Sequence, residues 1–175
     1  MDGVTPPHIV WFLLLMGGSL TLGAGTIGAA AGMLQRWGLG SNAIFGGACA
    51  FFALVQACVL VRLPVHAGVL WGAMAAFGAI TVLSYSIVAE LFAPEIIGRA
   101  NGALNLLHLG SAFVVQSGIG AVVGLWSPNS FGRYPMVAYQ VAFALPLALQ
   151  AAALLWFALP ALARAAPGVN QWNAR

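Results

Sequence analysis

The sequence predicts an all-α integral membrane protein with five spanning helices in a single membrane domain, residues 1–175. Hydrophobic residues make up 62% of the chain and charged residues only 5%, with a mean hydropathy of +0.97. A soluble domain carries about a quarter charged residues, since its surface faces water. Five apolar stretches of about 20 residues, the length that crosses a bilayer, alternate with short polar connections. These observations exclude an ordinary soluble fold.

Charged residues and clusters of Pro, Gly and Asn delimit each span in turn. The first span ends before Gln35 and Arg36, and the second ends before Arg62 and Pro64. The third ends at Glu90, before Pro94, and the fourth begins after Arg99. The fifth follows Pro135. The predicted spans are residues 9–34, 43–61, 67–89, 101–125 and 136–163.

The arginines predict the orientation of the spans, because short loops rich in Lys and Arg stay on the cytoplasmic side. With the N-terminus outside, four arginines are cytoplasmic and two are external: Arg36, Arg99, Arg164 and Arg175 against Arg62 and Arg133. We therefore expect a multi-pass protein of the cell membrane with its C-terminus in the cytoplasm. The lipid bilayer is its predicted partner. Charges this scattered do not form the basic cluster that nucleic acid requires, so a nucleic-acid partner is excluded.

Glycine is unevenly distributed among the spans. The first and fourth spans are rich in glycine, whereas the second and fifth carry mostly bulky apolar side chains. Small residues let membrane helices approach closely. We therefore expect the first and fourth spans to pack inside the bundle and the second and fifth to face lipid. The glycines predicted to make the helix contacts are Gly25, Gly28, Gly32, Gly118 and Gly120.

Polar side chains crowd the second half of the third span. Thr81, Ser84, Tyr85 and Val88 share one helix face by their three- and four-residue spacing. Two interpretations stay open: hydrogen bonding between helices, or a face that lines a water-filled cavity, where polar groups at membrane depth are tolerated. The second makes Thr81 and Tyr85 candidates for contact with a solute. Their neutral hydroxyls suit a small polar or weakly anionic solute better than a cation.

The fourth span carries a second polar face, formed by Asn101, Asn105 and His108 at i, i+4 and i+7. A histidine inside a span is a candidate proton acceptor or substrate contact, although histidines that hydrogen-bond across a helix interface are also common. Asn105 and His108 are therefore added to the cavity candidates. No carboxylate or cysteine lies near enough in sequence to predict a metal site, and no cofactor is predicted.

Charged residues flank the connection between the third and fourth spans. A carboxylate beside the C-terminus of a helix is unfavourable for the helix dipole. Glu90 is therefore predicted to pair with a cation, Arg99 or Arg36. Such a pair would act as a charge latch at the cytoplasmic edge.

The segment Tyr85…Glu90…Pro94…Gly98-Arg99-Ala100…Gly102 resembles the region between the tenth and eleventh helices of the major facilitator superfamily of secondary transporters. The segment from Ala31 to Gly38 is similar to that family's Gly-x-Leu-Ala-Asp-Arg-x-Gly loop, in the copy between helices eight and nine. The family's Asp is Gln35 here. Leu39 and Gly40 replace its following basic residues, which leaves Arg36 alone to carry the charge of that loop.

The resemblance implies that the five spans correspond to helices eight to twelve, a partial major-facilitator-type bundle. In that family helices eight and eleven pack between the two halves, nine and twelve face lipid, and ten lines the cavity. The implied function is transport of a small solute by part of a secondary transporter, truncated or split. Its implied partners are the solute and the missing transporter half.

Two other classes of function remain as alternatives. One is a non-transporting membrane module that serves in assembly. The other is an intramembrane enzyme, which would need a nucleophile such as Gly-x-Ser-x-Gly and a histidine on another span. Gly18-Ser19-Leu20 and Gly110-Ser111-Ala112 lack the second glycine of that pattern. We therefore expect no catalytic residues.

Overall fold

A computed structural model describes the backbone of residues 6–165 and the side chains of residues 9–159. Six α-helices follow one another in that part of the chain: α1 Pro6–Arg36, α2 Ser41–Leu60, α3 Ala67–Gly78, α4 Thr81–Leu91, α5 Pro94–Val123 and α6 Met136–Ala165. Within it, five helical stretches are long and apolar enough to cross a membrane, α3 and α4 together forming the third. The predicted all-helical, multi-pass fold is confirmed. Arg175 and the side chain of Arg164 lie outside the described part.

The first two helices end with the same hydrogen-bonded motif. At the end of α1 the amide of Leu39 donates to Leu34 O, and that of Gly38 donates to Gln35 O. This is a Schellman motif with Gly38 in the left-handed conformation at φ 89°. The end of α2 repeats the pattern, but the left-handed residue is Arg62, at φ 56°. A side chain at that position strains the backbone.

The third span is broken, although the sequence predicts one continuous helix. Between α3 and α4 the amides of Ala79, Ile80, Val82 and Leu83 donate three residues back instead of four. Such a tightened turn interrupts an α-helix without leaving its amides unpaired. Ala79 and Ile80 are only 4% and 5% exposed, so the irregular backbone is buried in protein, as interrupted membrane helices require.

The fourth span begins seven residues earlier than predicted. Pro94 occupies the first turn of α5, where a proline costs no hydrogen bond. Only Phe92 and Ala93 separate α4 from α5. Arg99 therefore lies inside a helix and not in a loop.

Helix packing runs in the order α1 on α3, α3 on α2, α2 on α6 and α6 on α5, with α4 against α5. The closest approach lies between α1 and α3. A Cβ added at Gly23 would lie 2.6 Å from the Cα of Ala76 and 2.8 Å from its carbonyl carbon. On α6, Ala138 and Ala142 are fully buried and form a small core with Val123 of α5. Small residues thus set these contacts, as they do in membrane bundles generally.

Glutamine amides also join α2 to α6. Gln56 Nε2 donates to Phe143 O, Gln140 Nε2 to Leu60 O and Gln150 Nε2 to Cys49 O, each at 3.4 Å. Gln56 is 6% exposed. These bonds give the glutamine amides hydrogen-bond partners, which lipid tails could not supply.

The described helices match the expected division into packing and lipid-facing spans only in part, since α1 packs closely on α3. The predicted lipid-facing helix α2 lies between α3 and α6, and α6 carries the two most buried residues. By contrast, a Cβ at any of the five predicted contact glycines, Gly25, Gly28, Gly32, Gly118 and Gly120, would meet nothing within 4 Å. The glycine content of a span does not say which of its faces meets a neighbour. Gly23 makes the close contact with α3, whereas an added side chain at those five glycines would meet open space.

Candidate functional site

Three of the four predicted cavity residues meet between α4 and α5. The Tyr85 hydroxyl donates to Asn105 Oδ1 at 3.0 Å and lies 3.4 Å from His108 Nδ1. The Tyr85 and His108 rings meet edge to face, with centroids 5.7 Å apart. The two-residue connection folds α5 back along α4, which places the polar faces of both helices opposite each other. We call Tyr85, Asn105 and His108 the polar cluster.

The contact between Tyr85 and His108 depends on which ring nitrogen of the histidine carries the proton. A tyrosine hydroxyl carries one proton, and here it is committed to Asn105. The contact with His108 is therefore attractive only when Nδ1–H donates to the tyrosine oxygen. In that tautomer Nε2 is the ring nitrogen that can accept a hydrogen bond.

Asn101, one turn before Asn105 on the same helix face, is polar and unsatisfied. Its Oδ1 is buried and has no hydrogen-bond partner, although the residue as a whole is only half-buried. Buried oxygens without partners are rare in native proteins.

Thr81 does not join the cluster. Its hydroxyl donates to Gly78 O at 3.3 Å, across the break in the third span. It satisfies a carbonyl at the point where the regular helical bonds are interrupted. The hydroxyl therefore supports the break, and only the shared helix face links Thr81 to Tyr85.

The cluster lies at membrane depth. The third span runs over Ala67–Leu91, so the break at Ala79 and Ile80 is at its centre. Tyr85 follows that centre by about 9 Å at 1.5 Å per residue. His108 is at the middle of α5, Pro94–Val123. No charged side chain falls within this depth on either helix, because Glu90 and Arg99 lie nearer the ends.

The cluster is open on one side. Tyr85 and His108 are half-buried and Asn105 is exposed. In the described part of the chain a water-sized hollow of about 10 Å³ lies between Gln35, Ser41 and Ser86. A shallow, open hollow of about 420 Å³ lies along α5 at Leu106, Leu107 and Ser111, and no residue of the cluster lines either one. The cluster therefore forms part of a wall and not an enclosed pocket. The described residues also include no group of three His, Cys, Asp or Glu side chains that could hold a metal ion.

The predicted charge latch has a different partner. The Ser41 hydroxyl donates to Glu90 Oε1 at 2.7 Å, and Gln35 Nε2 donates to the Ser41 oxygen at 3.1 Å. Among side chains 9–159 no ion pair joins Glu90 to Arg36 or Arg99, both of which are exposed. The start of α5 at Pro94 carries Arg99 into a helix. Ser41, the first residue of α2, brings the positive end of that helix to the carboxylate.

Sequence reasoning missed the Gln35–Ser41–Glu90 chain of hydrogen bonds. The available signal was Ser41 itself. A serine that follows a glycine-containing turn often begins a helix, and a helix N-terminus attracts a carboxylate. The prediction considered only cations as partners for Glu90. A gating role for Glu90, Arg99 and Arg36 stays a prediction.

Comparison of the chain with family models, with curated proteins and with solved structures finds no match in any of the three.

Proposed function

We propose that this chain forms one wall of a pathway for a small solute across the cell membrane, as part of a secondary transporter of the major facilitator type. Its five spans stand for helices eight to twelve, and the polar cluster contacts the solute. The N-terminus is outside and the C-terminus cytoplasmic. The missing transporter half supplies the opposite wall, so the chain alone does not transport.

The observation that carries this proposal is the open polar cluster at membrane depth. Lipid tails offer no hydrogen bonds, so an exposed amide or imidazole facing lipid costs free energy. Polar and ionisable groups at this depth are instead typical of water-filled solute pathways. The cluster also lies beside a broken helix, and secondary transporters build their sites near the midplane from discontinuous helices.

The open faces of α1 and α5 support a missing partner. On α1 the glycines Gly18, Gly25 and Gly32 recur every seven residues, and a Cβ added at any of them would meet nothing within 4 Å. On α5 Gly102, Gly110 and Gly120 are equally open. Two helices with open small-residue faces suit close packing against further helices. Alternating access in this transporter type rocks one half against the other, which requires such a second half.

Cysteine accessibility tests whether the cluster faces water. In a background in which Cys49 and Cys58 are replaced by Ala, Asn105→Cys is compared with Leu106→Cys in cells that express the protein with its natural partners. Leu106 is the next residue on α5 and is 72% exposed, which makes it a matched control. A thiol reacts as its thiolate, which forms in water and not in lipid. We expect a membrane-impermeant reagent to modify position 105 at least about tenfold faster than position 106. Equal labelling rates at positions 105 and 106 would show that the cluster does not face water and would overturn the proposed pathway.

The open glycine faces also favour the second candidate, a non-transporting assembly module. That role needs the faces of α1 and α5 but no water at the cluster. It predicts that Asn105→Cys is as unreactive as Leu106→Cys, whereas cysteines at Gly18 and Gly25 cross-link to a neighbouring chain. The same labelling experiment therefore separates the two functions.

A further inference from the structure

We infer that the connection between α5 and α6, residues 124–135, is a lipid anchor that inserts Phe131 at the boundary between headgroups and acyl chains. Its partner is the surface of the bilayer. The inference needs neither the transport function nor the orientation of the chain. It follows from the exposure of Phe131, from the hydrogen bonds that hold its turn, and from the position of the connection relative to α5.

The connection presents two large apolar side chains outside the helices. Phe131 is 85% exposed and Leu125 is 80% exposed, the two highest fractions among the large apolar side chains of the described part. Trp126 and Tyr134 are half-buried and pack against the small core between α5 and α6. Apolar surface in water is unfavourable, whereas Phe and Leu enter the headgroup–acyl boundary readily. The connection therefore exposes an apolar surface that the described helices do not cover.

Hydrogen bonds around Asn129 fix the turn that carries Phe131. Asn129 Oδ1 accepts from the amides of Phe131 and Arg133, at 3.0 and 2.9 Å. The Asn129 amide donates to Arg133 O and the Gly132 amide donates to Asn129 O, each at 2.9 Å. Gly132 takes the left-handed conformation that the turn requires, at φ 71°. Because this backbone is already ordered, insertion of the ring costs less conformational entropy than it would in a flexible loop.

The length of α5 places the connection at the edge of the hydrocarbon. Arg99, near the start of α5, is exposed and charged, so it lies outside the hydrocarbon at the opposite edge. Val123, the last residue of α5, follows Arg99 by about 36 Å at 1.5 Å per residue. This distance slightly exceeds the hydrocarbon thickness of about 30 Å. The connection therefore begins where acyl chains give way to headgroups, within reach of Phe131.

The charges at this end of the bundle suit lipid headgroups. Arg62, which follows α2, and Arg133 lie at the same end as the connection. The described acidic side chains, Glu90 and Glu95, lie at the other end, where α4 ends and α5 begins. Lipid phosphates are anionic and attract arginine. No carboxylate of residues 9–159 repels them at this end.

The size of the surface favours lipid over a partner protein. A specific protein interface takes about 20–30 residues per side, and residues 124–135 are fewer than that. Insertion into lipid requires no minimum area, because each apolar side chain that leaves water lowers the free energy by itself. One phenylalanine at the tip of an ordered turn is therefore enough for an anchor.

Electron paramagnetic resonance on the full chain in lipid nanodiscs, together with any partner that co-purifies, measures the depth of the turn. In a background with Cys49 and Cys58 replaced by Ala, Ser130→Cys carries a nitroxide beside Phe131. Collisions of the nitroxide with oxygen, which concentrates in lipid, are compared with collisions with a polar nickel chelate, which stays in water. We expect the ratio of oxygen to nickel collisions to exceed that of the free label in buffer about tenfold.

Substitutions of two phenylalanines assign the anchor. Phe131→Ser removes the ring and should lower the collision ratio at least about threefold, because the small polar side chain gains nothing from lipid. Phe131→Leu keeps an apolar side chain and should stay within about twofold of the wild type. Phe92→Ser is the matched control. Phe92 is also exposed and follows a helix, but at the other end of the bundle, so its loss should leave the ratio unchanged.

The collision rates distinguish lipid, water and protein as the surroundings of the turn. A high ratio that falls in Phe131→Ser and persists in Phe131→Leu supports the anchor. Frequent collisions with the nickel chelate would place the turn in water, and rare collisions with both reagents would place it under a partner protein. Either result would overturn the lipid anchor. A ratio that Phe131→Ser leaves unchanged would overturn the role of Phe131.

Discussion

Substitution of Gly23 tests the helix packing most sharply. A Cβ at this position would lie 2.6 Å from the Cα of Ala76, about 1 Å closer than carbon atoms at their optimal separation. Because the obstructing atoms are backbone, no side-chain rotation can relieve the overlap. Gly23→Ala must therefore push α1 and α3 apart by about 1 Å, a gap that forfeits up to half of the dispersion energy between atoms at the contact.

The expected cost follows from this displacement. Overpacking a well-packed contact costs about 1–3 kcal/mol, while replacing Gly by Ala inside a helix recovers up to about 1 kcal/mol. The net effect of Gly23→Ala is a loss of about 1 kcal/mol. For a chain of this length that lowers the melting temperature by about 2–4 °C.

Gly25→Ala is the matched control, two residues along the same helix. Nothing lies within 4 Å of a Cβ at that position, so only the gain in helix propensity remains. Thermal unfolding in detergent, followed by the fluorescence of the six tryptophans, compares the two variants. If the melting temperature of Gly23→Ala equals or exceeds that of Gly25→Ala, the close approach of α1 and α3 does not stabilise the fold.

Three further predictions concern single side chains. Tyr85→Phe removes the hydrogen bond to Asn105, which is worth about 0.5–1.5 kcal/mol, and should raise the apparent Michaelis constant of the assembled transporter a few-fold at normal expression. Tyr139→Phe, on the exposed surface of α6, should leave the Michaelis constant unchanged. Arg62→Gly relieves the left-handed backbone at φ 56° and should raise the melting temperature by about 2–4 °C, whereas an unchanged value would contradict the strain. Asn129→Ala removes the side-chain acceptor for the amides of residues 131 and 133, and both should exchange hydrogen about 2–10-fold faster.

The positions of the spans could be predicted from the sequence, because each depends on a long apolar run between charges and helix breakers. The break in the third span could not. Ala79 and Ile80 are ordinary helix residues, and nothing in their identity indicates that their amides bond three residues back. The break lies where α3 and α4 pack against α1 and α2, and a linear pattern does not contain those tertiary contacts.

The three residues of the polar cluster could be predicted from the sequence, but the contacts between them could not. Helical spacing places Asn105 and His108 on one face and Tyr85 on another, yet only the two-residue connection at Phe92 and Ala93 brings the faces together. The pairing of Glu90 failed for the opposite reason. The charge rule was sound, but the start of α2 at Ser41 supplied a nearer donor than either arginine.

The open side of the cluster links binding to assembly. Polar side chains on the open side of the cluster can bind a solute, but the same groups are unfavourable when only lipid covers them. The open glycine faces of α1 and α5 have the same property, since close packing needs an opposing helix and lipid tails gain little there. We therefore expect both surfaces to be covered at once, by the element that completes the wall opposite the cluster. A partner that stabilises the chain through α1 and α5 should also raise its affinity for the solute, because it excludes lipid from the donors that bind it.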